Sequence, residues 1–261
     1  MNLARAGLGI AAAAVLVGCG APRSGAPLDT AARPPPAAQR IVADVPITLA
    51  ASNAPAAQKL AHYRAIFEAA GGRWRPGRTH VLAIRGLDST TNMIHGTWAN
   101  PKMSDTIVVL RDLVGDPTVY EFVGSTHPGQ ATLESGRIGR DVNGDGIKDV
   151  GMVAEGAFRA TSNGDFNGAP SFYILKHNGR DGLPAVRDTN QDGQHSPEEW
   201  EASRRRGDTA GEILFHIGFG QYVNSVGCFN VADYGAFVTS VGGPAASFEV
   251  AIINAQAREP R

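Results

Sequence analysis

The residues best suited to chemistry lie close together near the end of the chain. Cys228 belongs to the segment Ser225-Val-Gly-Cys-Phe-Asn230, and His216 ends the strand-like run Glu212-Ile-Leu-Phe-His216. A thiol is mostly protonated at neutral pH, and a neighbouring imidazole converts it into the attacking thiolate. The pattern therefore predicts a cysteine nucleophile, Cys228, with His216 as its general base.

Small residues before the cysteine supply the other parts of such a site. Gly227 allows a tight turn, so that the backbone N–H groups of Gly227 and Cys228 can point at a developing oxyanion. Ser225 is then placed to orient the imidazole or the substrate. A cysteine alone in an apolar segment usually packs as a small hydrophobe, so the prediction depends on the order and spacing of the whole set.

This segment resembles the catalytic motif of the L,D-transpeptidase family, in which His precedes Ser or Thr, one residue, Gly-Cys, an apolar residue and often Asn. The matching residues are Ser225, Gly227, Cys228, Phe229 and Asn230. Two features depart from the family pattern. Val226 stands where a second His is frequent, and only residues 217–224 separate His216 from Ser225.

Weaker landmarks extend the resemblance over residues 80–255. They are the segments Ile84-Arg-Gly-Leu-Asp88, Tyr120-Glu-Phe-Val-Gly-Ser-Thr-His-Pro-Gly129, Gly156-Ala-Phe158 and Lys176-His177. The resemblance implies a mainly β fold, an L,D-transpeptidase-like β-sandwich or barrel, and acyl transfer through a thioester on peptidoglycan stem peptides. It also implies that His177 and Asn230 contact the substrate.

Composition agrees with a β-rich domain. The chain has 261 residues, 32 glycines, 7% aromatic residues and a formal charge of −1, which gives no reason to expect nucleic-acid binding. Short runs rich in branched and aromatic residues, among them residues 80–84, 106–110 and 248–253, predict a mostly antiparallel sheet or barrel. The polar segment 163–168 predicts a turn. Apolar residues at helical spacing predict one N-terminal helix within residues 51–75, ahead of a domain over 76–256.

The N-terminus has the pattern of a lipoprotein signal peptide over residues 1–19. Arg5 supplies a positive charge, residues 7–17 form a short apolar run, and Leu16-Val-Gly-Cys19 resembles a lipobox. Acylation of Cys19 would tether the protein to a lipid membrane. Gly20 stands where an inner-membrane retention signal has Asp, so we expect an outer-membrane anchor facing the periplasm. Residues 20–50 predict a disordered linker.

Cysteine usage supports a chemical role for the second thiol. Cys19 and Cys228 are the only cysteines in the chain, so acylation of Cys19 leaves no intramolecular disulfide partner. An unpaired thiol in an exported protein is a liability unless it has a function.

A second motif points to Ca²⁺. The segment Asp188-Thr-Asn-Gln-Asp-Gly-Gln-His-Ser-Pro-Glu-Glu199 fits the twelve-residue EF-hand loop. The predicted ligands are Asp188, Asn190, Asp192, the carbonyl of Gln194, and Glu199. Pro197 starts a predicted exit helix, whereas residues 183–187 before the loop lack a helical pattern. We expect a structural Ca²⁺ site; an Asx-rich surface turn is the alternative.

A shorter copy of this pattern begins at Asp141 and contains Asn143 and Asp145. Met152 stands at its twelfth position, so a cation there would need Asp149 or Glu155 as the closing ligand. A catalytically inactive, Ca²⁺-binding envelope lipoprotein is the alternative to the enzyme. The sequence does not determine the oligomeric state.

Overall fold

The computed structural model describes residues 45–95, 102–113, 115–218, 223 and 225–255. Cys19, the signal peptide and most of the predicted linker lie outside these residues. The helices are α1 (Ala56–Ala69), α2 (Gln130–Ser135), α3 (Pro197–Arg206) and α4 (Tyr234–Val241). No helix in the described ranges is long and apolar enough to cross a membrane.

The strands include four of two to four residues and one of eleven. They are β1 (Thr79–Arg85), β2 (Asp105–Leu113), β3 (Asp116–Ser125), β4 (Gly151–Val153), β5 (Gly156–Phe166), β6 (Ala169–Leu175), β7 (Leu183–Arg187), β8 (Thr209–Ala210), β9 (Leu214–Ile217), β10 (Phe229–Val231) and β11 (Ser247–Asn254). The predicted mainly β class is therefore confirmed.

Eight of these strands close into a barrel in the order β1-β11-β5-β6-β9-β10-β3-β2. The pairs β1–β11 and β9–β10 are parallel, and the other neighbours are antiparallel. Strands β4, β7 and β8 form a separate three-stranded sheet. Closure leaves the barrel without an exposed edge strand, so its backbone hydrogen bonds are satisfied internally.

Alternate residues of every strand face the barrel interior, and these residues form an apolar cluster. Phe215 of β9, Phe229 of β10 and Phe172 of β6 are fully buried there, and Phe237 of α4 stacks on Phe215 at 5.3 Å. Each such ring contributes about 1.5–3 kcal/mol by burial. This core determines which face of β9 and β10 remains for polar residues.

Helix α1 packs on the outside of the barrel. Its buried residues Leu60, Tyr63, Ile66 and Phe67 fall at helical spacing and join a second apolar cluster with outward residues of β1, β2 and β11. The hydroxyl of Tyr63 donates to Glu121 at 2.9 Å and accepts from the Ala50 amide at 2.9 Å. The helix lies within the predicted segment 51–75.

One local prediction was wrong. The polar segment Asn163–Gly168 has the composition of a turn, yet β5 continues to Phe166. A bulge between Ser162 and Gly164 accommodates the segment, and only Asn167 and Gly168 form the turn, both with positive φ. Cross-strand pairing with β6 overrides the weak strand propensity of these residues.

Candidate functional site

The segment that carries the predicted nucleophile lies on the outer wall of the barrel. Strands β9 and β10 pair in parallel, with Phe215 opposite Phe229 and His216 opposite Asn230. Because both phenylalanines point into the core, alternation directs His216 and Asn230 outward. Cys228 is two residues before Asn230, so it shares this outward face.

The same register sets the offset between thiol and imidazole. The Cys228 sulfur lies 3.5 Å from the Leu214 amide nitrogen, two residues before His216 on β9. Two residues of a strand correspond to about 7 Å. His216 therefore lies two residues beyond the position opposite Cys228, on the same wall.

Backbone groups surround the Cys228 sulfur. It accepts from the Leu214 N–H and donates to the Glu212 carbonyl at 3.6 Å, and the residue is buried, with 4% of its surface exposed. Cys228 carries a thiol and not a disulfide. An N–H donor at sulfur favours the thiolate, whereas burial opposes it.

The imidazole of His216 is held in one tautomer. Its Nδ1 lies 2.8 Å from the Ile217 carbonyl, which can only accept, so Nδ1 carries the proton and Nε2 carries the lone pair. The Asn230 amide nitrogen lies 3.3 Å from both ring nitrogens, Nδ1 and Nε2. Burial lowers the pKa of His216, and the bond to the Ile217 carbonyl partly offsets this. A neutral imidazole is the form that a general base requires.

Ser225 and Gly227 have other contacts than those expected. The Ser225 hydroxyl donates to the Cys228 carbonyl at 2.6 Å and accepts from the Gly227 N–H at 2.9 Å, so it closes the turn before the cysteine. The Gly227 N–H is thereby engaged within the turn and is not directed at an oxyanion. Gly227 itself has φ +134°, and a Cβ there would meet the Gly151 carbonyl oxygen at 3.2 Å.

His177 lies away from the thiol. It follows β6, is exposed, and forms an ion-pair contact of 3.5 Å with Glu249 of β11. In the eight-stranded barrel, β11 is four strands from β10 in either direction. The imidazole thus points toward the opposite wall, and the structure does not bring it to Cys228.

The predicted Ca²⁺ loop connects β7 to α3, as expected for a loop entered by an extended segment and left by a helix. Asp192 Oδ1 accepts from the Gln194 N–H at 2.7 Å, and the Asn190 side-chain amide donates to Asp192 Oδ2 at 3.0 Å. Glu199 completes a capping box with Ser196 and accepts from the Thr189 N–H at 2.6 Å. The carboxylates therefore bond to the loop itself.

Asp188 is the exception within that loop. One carboxylate oxygen, Oδ2, accepts from the Gly193 N–H at 2.8 Å, whereas Oδ1 is buried without a hydrogen-bond partner. Burial raises the pKa of Asp188 to about 6, and the nearby charges of Glu199 and Asp192 add to the increase. A buried carboxylate oxygen without a hydrogen-bond partner is a suitable ligand for a cation. No group of three or more His, Cys, Asp or Glu side chains converges among the described residues.

The shorter loop packs beside the first one. The Asn143 side-chain amide donates to the Thr189 carbonyl at 3.0 Å, and the Gln191 amide donates to Asp149 Oδ1 at 3.0 Å. Asp149 also accepts from the Val142 N–H at 2.9 Å, so it closes this loop. Glu155 instead accepts from the Asn254 N–H at 2.7 Å and points to the barrel.

A buried polar cluster at one end of the barrel was missed in the sequence. Arg85 is fully buried and donates to the Thr126 hydroxyl and carbonyl at 3.0 and 2.9 Å, while Asp105 accepts from the Thr126 N–H and hydroxyl at 2.8 and 2.7 Å. These bonds fix the chain after β3, where the Gly129 N–H donates to the Ser225 carbonyl at 2.8 Å. The cluster therefore supports the turn that carries Cys228.

Two histidines complete this cluster. His127 lies 3.9 Å from Asp105, and His195, within the predicted Ca²⁺ loop, is buried with neither ring nitrogen hydrogen-bonded among the described residues. Burial lowers the pKa of His195 to about 3, and the positive charge of Arg85 adds to this effect. No local pattern in the sequence indicates this cluster, because its residues lie far apart in the chain.

Comparisons of this chain with family models, with curated proteins and with solved structures give no match.

Proposed function

We propose that the chain is an exported cysteine acyltransferase or hydrolase that acts on peptidoglycan stem peptides, as its resemblance to L,D-transpeptidases implies. The observation that carries the proposal is the shared outward face of Cys228, which directly precedes β10, and His216 of the adjacent parallel strand β9. Support also comes from the tautomer of His216, whose lone pair lies on Nε2.

The reaction would proceed in two steps. His216 Nε2 takes the thiol proton, and the thiolate of Cys228 attacks the carbonyl carbon of an L,D peptide bond. The C–N bond then breaks, the leaving amine takes the proton from the imidazolium, and a thioester remains. An amine acceptor or water attacks the thioester, passes its proton to His216, and restores the thiol.

The second part of the proposal concerns the membrane anchor and the bound cation. We infer that acylated Cys19 anchors the protein to the outer membrane on the periplasmic side and that the 188–199 loop binds a structural Ca²⁺. Asp188 Oδ1 supports the cation, because a buried carboxylate oxygen without a partner is costly unless a ligand completes it. Asp188, Asn190, Asp192, Gln194 and Glu199 would hold the ion.

A carbapenem tests the nucleophile directly. Ring opening by the thiolate of Cys228 adds the whole drug to the protein, which intact mass measurement detects. We expect an adduct on the wild type, none on Cys228→Ser, and a rate about 100-fold lower on His216→Gln, the loss typical of a removed general base. His62→Gln on α1 is the matched control and should react as fast as the wild type.

The inactive Ca²⁺-binding lipoprotein is the second candidate. Burial of the thiol and the engagement of the Gly227 N–H by Ser225 favour it. Wild type that forms no adduct, yet is stabilised by Ca²⁺, would support this candidate and refute the enzyme. Equal acylation rates for wild type and His216→Gln would refute the role of the imidazole.

A further inference from the structure

An arginine-lined cavity lies on the wall of the barrel opposite Cys228. It has a volume of about 630 Å³, and the ionisable residues that line it are Arg73, Arg75, Arg78, Arg159, His177 and Glu249. This size is within the range of small-molecule sites, about 300–1,000 Å³. Glu249 belongs to β11, four strands from β10, so the cavity is separate from the proposed acyl-transfer site.

The charges in this cavity are unbalanced. Four arginines and one glutamate line it, and Glu249 pairs with His177 and not with an arginine. Within the described part of the chain, no carboxylate lies within ion-pair distance of Arg73, Arg75, Arg78 or Arg159. Arginines gathered in a concave site without counter-charges favour a ligand that brings negative charge.

The segment that carries three of the arginines is fixed in place. The Arg75 N–H donates to His80 Nε2 at 3.1 Å, and the Arg78 N–H donates to the Arg75 carbonyl at 3.1 Å. Burial lowers the pKa of His80 to about 4, so its ring is neutral and can accept this bond. Trp74 stacks on His80 at 4.1 Å. The loop is thus anchored on a buried histidine.

The fourth arginine approaches from the barrel wall. Arg159 is half-buried on β5 and pairs in register with Glu249 of β11, so both side chains project from the same outer face. The cavity therefore combines a fixed loop with a rigid strand. Such a frame holds the backbone of all four arginines around the cavity, and guanidinium groups can form bidentate contacts with oxyanions.

We propose that this cavity binds a ligand that carries two phosphate groups. Four guanidinium charges and one carboxylate leave three positive charges uncompensated. A phosphate monoester brings only about −1.5 to −2 charges at neutral pH, so a second phosphate group matches the site better. The planar fork of arginine suits the tetrahedral phosphate oxygens.

Titration calorimetry of the full-length chain with pyrophosphate tests the proposal. We expect saturable binding that is at least tenfold tighter than that of orthophosphate or citrate and that weakens at high salt. The double variant Arg75→Gln/Arg159→Gln should bind at least tenfold more weakly. Arg205→Gln, an exposed arginine on α3, is the matched control and should stay within twofold of the wild type.

A variant that is expected to bind pyrophosphate more tightly provides a second test. Glu249→Gln removes the carboxylate that competes with the ligand, so it should bind pyrophosphate more tightly than the wild type. Weaker binding by Glu249→Gln, equal losses for Arg205→Gln and the double variant, or no saturable binding would overturn the proposal. Binding to phosphatidylglycerol vesicles without binding of pyrophosphate would also overturn it. Carbapenem acylation is independent of all these outcomes, because the two sites lie on opposite walls.

Discussion

Protonation of the buried Asp188 side chain should make the metal-free protein more stable in acid than at neutral pH. Only 1% of this residue is exposed, and Oδ1 has no hydrogen-bond partner among the described residues. Burial, together with the charges of Glu199 and Asp192, raises its pKa from 3.8 to about 6. The folded chain therefore binds this proton more tightly than the unfolded chain does.

The size and sign of the effect follow from the two pKa values. A difference of about two pKa units corresponds to a cost of about 3 kcal/mol for the ionised carboxylate of Asp188 in the folded state. That cost is fully present above the folded pKa of about 6. It falls as the pH drops through 6, and it is gone below the unfolded value of 3.8.

Urea unfolding of wild type and Asp188→Asn in EDTA isolates this proton. Between pH 7.5 and 4.5 the free energy of unfolding of the wild type should rise by about 2 kcal/mol relative to the variant, as proton linkage requires. Gln58→Ala, which replaces an exposed residue of α1 that does not ionise, is the control, and its difference from the wild type should stay flat with pH.

Calcium should reverse the dependence on pH. A bound cation keeps Asp188 ionised, so the wild type should gain stability with Ca²⁺ at pH 7.5 and lose that gain in acid. Asp188→Asn should gain far less. A pH-independent difference in EDTA, or equal stabilisation of wild type and Asp188→Asn by Ca²⁺, would refute the reasoning about this buried oxygen.

Two further substitutions test the packing around the site and the helix. Gly227→Ala places a side chain at φ +134° and 3.2 Å from the Gly151 carbonyl oxygen, so it should destabilise the fold by about 1–3 kcal/mol in urea unfolding. Gly235→Ala, with open space around it, should not. Equal urea midpoints for the two variants would contradict this. Tyr63→Phe leaves the Ala50 N–H without its acceptor and should lower the free energy of unfolding by about 1–3 kcal/mol. Tyr120→Phe, at an exposed position, should change it little. An unchanged free energy of unfolding for Tyr63→Phe would show that water replaces the hydroxyl.

Much of the fold was predictable because local patterns reflect burial. The predicted strands over residues 80–84, 106–110 and 248–253 lie within β1, β2 and β11, and Leu60, Ile66 and Phe67 mark the buried side of α1. Strands β5 and β10 were not predicted. The outward residues of β5 are polar, and β10 has only three residues, so neither carries an apolar pattern of its own.

The candidate sites depended more on tertiary structure. The sequence indicated Cys228, His216 and the loop from Asp188 by residue type and spacing. It did not reveal that Ser225 closes the turn before Cys228 or that His177 pairs with Glu249. The first contact depends on the backbone conformation of one turn, and the second joins two residues that are far apart in the chain.

The sequence by itself determined the mainly β class, the helix α1, the nucleophile candidate and the cation-loop motif, because each depends on residues close together in the chain. Tertiary structure alone decided that Cys228 and His216 share the outer wall, since that follows from the register between β9 and β10. It also gathered Arg75 and Arg159 around one cavity. Strand register and barrel closure depend on the packing of the whole core, and this is why short segments did not predict them.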